Sequence, residues 1–155
     1  MEPTFVKKTA FLVVGTPYFG KNEHGEIPQM WNVFNSRYGE IKEIADPAVC
    51  YGICSSMDAT GSFEYVAAAP VNKIDELPEG MVARIVSQQE YAVFFHKGAL
   101  DTLDKTYDSI YKGWLPNSDY ELVPAAHDFE LYDQDFKFGD PDSKFYIYIP
   151  VRLKS

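Results

Sequence analysis

Phe145-Tyr146-Ile147-Tyr148-Ile149-Pro150-Val151-Arg152-Leu153 alternates in character from one end to the other. Successive side chains of a strand leave opposite faces, so Phe145, Ile147, Ile149 and Val151 point one way, and Tyr146, Tyr148, Pro150 and Arg152 point the other. The run before it, Phe129-Glu130-Leu131-Tyr132-Asp133, behaves alike, with Phe129 and Leu131 sharing one face and Glu130 and Tyr132 the other. Upstream, Leu100, Leu103, Tyr107, Ile110, Tyr111 and Trp114 recur at helical spacing, and Gly113 and Pro116 are expected to close that helix. Further upstream, Val82 to His96 reads as one long strand with a polar bulge or bend at Gln88-Gln89-Glu90. The second half is therefore strand, helix, strand, strand.

The first half repeats that order. Phe5 to Gly15 reads as a strand ending at the Gly15-Thr16-Pro17 break. Ile27, Met30, Trp31, Phe34, Tyr38 and Ile41 give an amphipathic helix with Pro28 in its first turn. Val49 to Ser55 and Phe63 to Val71 are the next strands, joined through Met57-Asp58-Ala59-Thr60-Gly61 as a hairpin. The expectation is an α+β fold of duplicated βαββ units, about 4–71 and 81–153, related by a pseudo-twofold axis. Its antiparallel sheet carries both helices on one face and a ligand groove at the centre. The 155 residues are the size of one domain, 1–155, and hold no long linker.

Composition narrows the function classes. With 14 basic and 23 acidic residues the net charge is −9, which argues against a direct nucleic-acid surface. No apolar run approaches the ~20 residues of a membrane span, and Met1-Glu2-Pro3-Thr4 lacks the basic head of a secretory signal. Four residues of strand cover ~13 Å, too far for a disulfide without a bend. Cys50 and Cys54 accordingly read as free thiols, and the location as cytoplasmic. The unusual feature is aromatic: 11 Phe, 11 Tyr and 2 Trp, of which Tyr suits a partly wet site by combining an apolar face with a polar tip.

If the aliphatic strand faces meet the helices, Glu130, Tyr132, Tyr146 and Tyr148 converge on the opposite, concave face, and Phe63 and Tyr65 are candidates to join them. A carboxylate among rings is unfavourably desolvated unless a cation is supplied. An organic cation supplies one, and ring faces attract it by a further ~0.5–2 kcal/mol each. Burying about 200 Å² of such a ligand at ~25 cal/mol/Å² adds roughly 5 kcal/mol, compatible with micromolar affinity after association costs. The competing reading makes Glu130 an ordinary exposed strand acid.

Gly113-Trp114-Leu115-Pro116-Asn117-Ser118-Asp119-Tyr120-Glu121, Phe129-Glu130-Leu131-Tyr132 and Tyr146-Ile147-Tyr148-Ile149-Pro150-Val151 together resemble the GyrI-like family, which includes the AraC-type effector-binding domains. The resemblance covers nearly the whole chain. It implies a SOUL-like fold and a groove in which an acid at Glu130, flanked by aromatics, holds lipophilic, aromatic or cationic compounds, the multidrug type of ligand. Tyr146 matches a flanking aromatic, and Tyr107, Tyr111 and Trp114 match the helix motif. Relatives are often transcription regulators with a helix-turn-helix ahead of this domain; here the strand signal begins at Phe5, so a stand-alone binder is expected. The resemblance leaves two alternatives open. One is a hydrolase opening cyclopropane rings of DNA-alkylating natural products, with Glu130 acting on water and Tyr146 on the ligand carbonyl. The other is a partner of gyrase or of a regulator. A homodimer through an exposed sheet edge is a further arrangement the pattern permits.

Other motifs are set aside. Asp133-Gln134-Asp135-Phe136-Lys137-Phe138-Gly139 matches a calcium loop at two ligands only, with Lys137 at the third and Lys144 where the closing Glu belongs. His24, His96 and His127 are scattered and read as surface or packing residues. Neither a metal nor a cofactor is expected.

Overall fold

The computed structural model describes residues 2–55, 58–98, 102–137 and 140–155. The elements are β1 (Thr4–Lys8), β2 (Phe11–Gly20), α1 (Glu26–Arg37), β3 (Cys50–Cys54), β4 (Phe63–Val71), β5 (Val82–Val86) and β6 (Gln89–Lys97). They are followed by α2 (Leu103–Asp108), a π-helical segment (Ser109–Trp114), α3 (Leu115–Asn117), β7 (Tyr120–Leu122), β8 (Asp128–Tyr132) and β9 (Lys144–Leu153). A 3₁₀ turn, Tyr38–Glu40, ends α1. Of the expected positions, Leu100, Met57, Phe138 and Gly139 lie outside the described residues.

Nine strands form the antiparallel sheet, in the order β1-β6-β9-β8-β3-β4-β2-β5, with β7 paired to the end of β9. Read from either end, the order describes the same unit twice: β2, β3 and β4 with α1 correspond to β6, β8 and β9 with α2. The seam between the units is the β3–β8 pair, where Gly52 lies opposite Glu130. This is the α+β architecture expected, with both helices on one face.

The two long strands differ from expectation. Phe5 to Gly15 is two strands at opposite ends of the sheet, and so is Val82 to His96. The ladder nonetheless continues without a slip from Lys8↔Gln89 to Phe11↔Val86, so each break faces the other and the pairing ties the two ends of the sheet together. β2 also runs through Gly15-Thr16-Pro17 to Gly20. Its partner β5 stops opposite Gly15, so Pro17 stands on an edge, where a missing N–H is tolerated. The second helix likewise passes Gly113 and Pro116 by opening into a π-helical turn, and the bond from Asn117 Nδ2 to the Gly113 carbonyl (2.7 Å) secures that turn.

Curling gives the sheet apolar residues on both faces. On the helix side, Met30 and Phe34 of α1 pack over Tyr65, Ala67 and Ala69, while Ile110 packs over Phe94, Phe145, Ile147 and Ile149. On the other side Val13, Tyr51, Ile53, Val66, Tyr91 and Phe129 form a third core, with Tyr146 and Tyr148 against it. Among the described residues no helix is long and apolar enough to cross a membrane.

Candidate functional site

Cross-strand partners share a face, and the register settles the faces of β8. Glu130 pairs with Ile147, which lies under the second helix, whereas Phe129 pairs with Tyr148 and Leu131 with Tyr146. Glu130 and Tyr132 therefore rise on the helix side. The expectation that they converge with Tyr146 and Tyr148 on the opposite face is corrected. It assumed that the more apolar face of each strand meets a helix, but Phe129 and Leu131 serve the third core instead. Tyr148 stacks on Phe129 (4.6 Å between centroids), and the Tyr146 hydroxyl donates to Asp135 (3.2 Å).

Glu130 is buried in a cage of hydroxyls. Tyr65 (2.8 Å) and Tyr132 (2.7 Å) donate to Oε1, and Tyr107 of α2 donates to Oε2 (2.6 Å). An indole N–H can only donate, so the bond from Trp31 Nε1 to the Tyr65 oxygen (3.0 Å) commits the Tyr65 proton to Glu130. Burial first, and the Glu130 charge second, holds the hydroxyls of Tyr65, Tyr107 and Tyr132 well above their ordinary pKa, so they remain donors. Gly52 makes the cage possible: a Cβ there would overlap the Tyr65 hydroxyl.

The cage floors a cavity of about 1010 Å³ between the two helices. This is at the upper end of the range for small-molecule sites, ~300–1,000 Å³. Ile27 at the start of α1, Phe63 and Tyr65 of β4, and Tyr107 and Tyr111 of the second helix contribute its aromatic and apolar wall. Among the described lining residues, Asp104, Asp108, Asp128 and Glu130 face a single base, Lys21. No Lys or Arg among the described residues forms an ion pair with Glu130.

Asp128 enters the cavity beside Glu130 on the same face of β8. Its Oδ2 accepts the Tyr111 hydroxyl at 3.3 Å, and Tyr111 lies parallel to Tyr107 (6.3 Å, 11°). Burial, reinforced by the Glu130 charge, pushes the Asp128 carboxyl up to about 7. Cys54, another lining residue, has its thiol raised well above the ordinary value by burial, and Cys50 is pushed up to about 11 by the same cause; neither is a ready nucleophile.

Of the residues singled out from sequence, Glu130, Tyr65, Phe63, Tyr107 and Tyr111 line the cavity, and Tyr132 braces Glu130. Trp114 packs away from it, against Phe94 (5.2 Å) and Tyr120 (6.2 Å). Tyr146 and Tyr148 lie on the far side of the sheet, so the pair Glu130 and Tyr146 considered for hydrolysis is not assembled. Sequence reasoning missed Trp31, Gly52 and Asp128. Only Asp128 had a signal, since it alternates with Glu130 and Tyr132 one residue ahead of the strand as read.

Comparison with known proteins agrees with this architecture. Residues 4–151 match the model of the family described as integron-associated effector binding protein. The transcriptional regulator BrlR of Pseudomonas aeruginosa is 41% identical over 152 residues, 97% of this chain and 56% of its own length. The chain thus spans little more than half of that relative. The structure of SAV2435 bound to tetraphenylphosphonium superimposes with a TM-score of 0.73 at 19% identity, over 98% of this chain and 94% of that one. EcmrR, in its complex with DNA, gives 0.77 at 15% identity, over 99% of this chain and 58% of that one. Matched along almost its full length, the chain belongs to the integron-associated effector-binding protein family, with the GyrI-like fold.

Proposed function

We propose that this chain binds a flat or globular lipophilic cation in the cavity between its helices, with Glu130 as the central counter-charge and the tyrosines as the apolar wall. One observation carries the reading: a buried carboxylate held by three hydroxyl donors, with no basic partner among the described residues, at the floor of a large, acidic, aromatic cavity. Hydroxyls orient and solvate the charge without neutralising it, so a cation entering the cavity meets an uncompensated negative site in a medium where attraction is strong. Ring faces add to it. The fold-mate bound to tetraphenylphosphonium supports this ligand class. A sensing role, in which occupancy is passed to a regulator's DNA-binding part, is the larger setting that the transcriptional regulator BrlR, 41% identical over this domain, supports.

The test is calorimetric titration with tetraphenylphosphonium and with neutral triphenylphosphine oxide, followed by mass spectrometry of the recovered ligands. Saturable one-to-one binding of the cation in the micromolar range, at least tenfold tighter than the oxide and with both recovered unchanged, is expected. Equal affinity for the two would overturn the reading.

A further inference from the structure

The two carboxylates on the cavity side of β8 differ in what they have left to offer. A carboxylate has about four acceptor positions. Three at Glu130 are filled by tyrosine hydroxyls at 2.6–2.8 Å. Asp128 holds one tyrosine hydroxyl, at 3.3 Å, and lines the same cavity. Two residues apart on one strand, the groups are about 7 Å from each other. Glu130, with most of its acceptor positions filled, is thus suited to a diffuse charge without N–H groups. Asp128 has open acceptor capacity toward a donor.

We propose that Asp128 forms a second subsite that binds the ammonium of a protonated amine, so that the cavity prefers ligands carrying a lipophilic cation and, a few bonds away, a primary amine. This rests on the reading of the cavity as a cation site and adds the class of ligand it prefers. Asp104 and Asp108 of α2 line the same volume, with Asp108 already in an ion pair with Lys112 (3.4 Å), and Asp104 adds attraction opposed by Lys21 among the described lining residues. His127, next to Asp128, is turned away to the Cys54 carbonyl (3.1 Å). Because the Asp128 carboxyl is pushed up to about 7, the preference for the amine grows as pH rises from 6 to 8, where the ammonium is still charged. Among the described residues, the ionisable groups that interact with Asp128 are Glu130, together with Tyr107, Tyr111 and Cys54, whose protons are held well above this range; Asp104, Asp108 and Lys21 share the cavity.

A matched pair of probes tests it: (3-aminopropyl)triphenylphosphonium and propyltriphenylphosphonium, titrated at pH 8 against the wild type, Asp128→Asn and Glu130→Gln. The wild type is expected to prefer the amine by about tenfold, the worth of one hydrogen bond to a charged group. Asp128→Asn brings the ratio near one; Glu130→Gln weakens both probes and keeps the ratio. Equal binding of the two probes by the wild type, or a ratio that collapses in Glu130→Gln and survives in Asp128→Asn, overturns the second subsite while leaving the cation site standing. Failure of the propyl compound to bind at all would instead remove the cation site. Should Asp128→Asn fold poorly, the wild-type ratio at pH 6 and pH 8 decides: a rise supports the subsite, and a flat profile contradicts it.

Discussion

Strand β8 presents two faces built from the same residue types to opposite ends. On one, Asp128, Glu130 and Tyr132 meet Tyr65, Tyr107 and Tyr111, and what counts is the hydroxyl: each is aimed at a carboxylate. On the other, Phe129 is surrounded by Phe11, Tyr51, Tyr91 and Tyr148, and what counts is the ring, packed edge-on or stacked at 4.6–5.5 Å. One face is a polar network that must be satisfied to be stable, and the other is a dry core that holds it rigid. An abundance of tyrosine therefore does not locate a site. What sets the helix-side face apart is the pair of carboxylates, Glu130 and Asp128, that the hydroxyls serve.

The largest expected effect lies on the dry face. Phe129→Ala removes a fully buried ring and should lower stability to urea by ~3–5 kcal/mol, while any folded protein keeps its preference for cation over neutral ligand. If that preference vanished with the ring, the two faces would not be separable. Gly52→Ala comes next. Its methyl displaces the Tyr65 hydroxyl from Glu130, so ~1–3 kcal/mol of stability and several-fold of cation affinity should go together. A loss of one without the other would show that the cage is not a unit.

A sharper contrast is expected from two Tyr→Phe changes. Tyr107→Phe deletes one donor to Glu130 and should lower stability by ~0.5–1.5 kcal/mol. Tyr148→Phe keeps the ring that matters on its face and should stay within ~0.5 kcal/mol of wild type. The remaining contrast is in pH dependence. The Asp128 carboxyl is raised from about 3.9 in the unfolded chain to about 7, so between those values the native state holds the extra proton. Its contribution is fully present below pH 4 and is lost as pH rises through 7. Thermal melting from pH 4 to pH 8 should show the wild type losing stability relative to Asp128→Asn over that window, and a constant difference between the two would contradict the raised carboxyl.

Much of the fold was legible. The alternation of β9, the two helical stripes and the repeated order of elements together imply the architecture, because each follows from local periodicity. Three features are not legible, because each depends on parts of the chain far apart in sequence. Periodicity says that Phe129 and Glu130 face apart, but which of them faces the helices depends on a third core that exists only because residues 4–15 and 82–93 pair across the ends of the sheet. That long-range pairing leaves no periodic mark. Gly52 is equally silent, since its role is the space above it. Trp31 fits the α1 stripe as a core residue, and its N–H becomes meaningful only once Tyr65 is seen beside it. Glu130 itself was identified, with its cage composed in part of the right residues, although Tyr146 and Tyr148 were assigned to it from the wrong side of the sheet.

In the proposed reading Glu130 acts as an uncompensated charge beneath the cavity and not as a structural anchor for tyrosines. The direct test is the affinity of Glu130→Gln for tetraphenylphosphonium and for triphenylphosphine oxide, read beside its melting temperature. The account predicts that the cation loses about 30-fold or more while the neutral oxide changes by less than about threefold, because only the charge interaction is removed. An equal loss for both ligands, tracking the fall in melting temperature, would make Glu130 a packing residue and contradict the account.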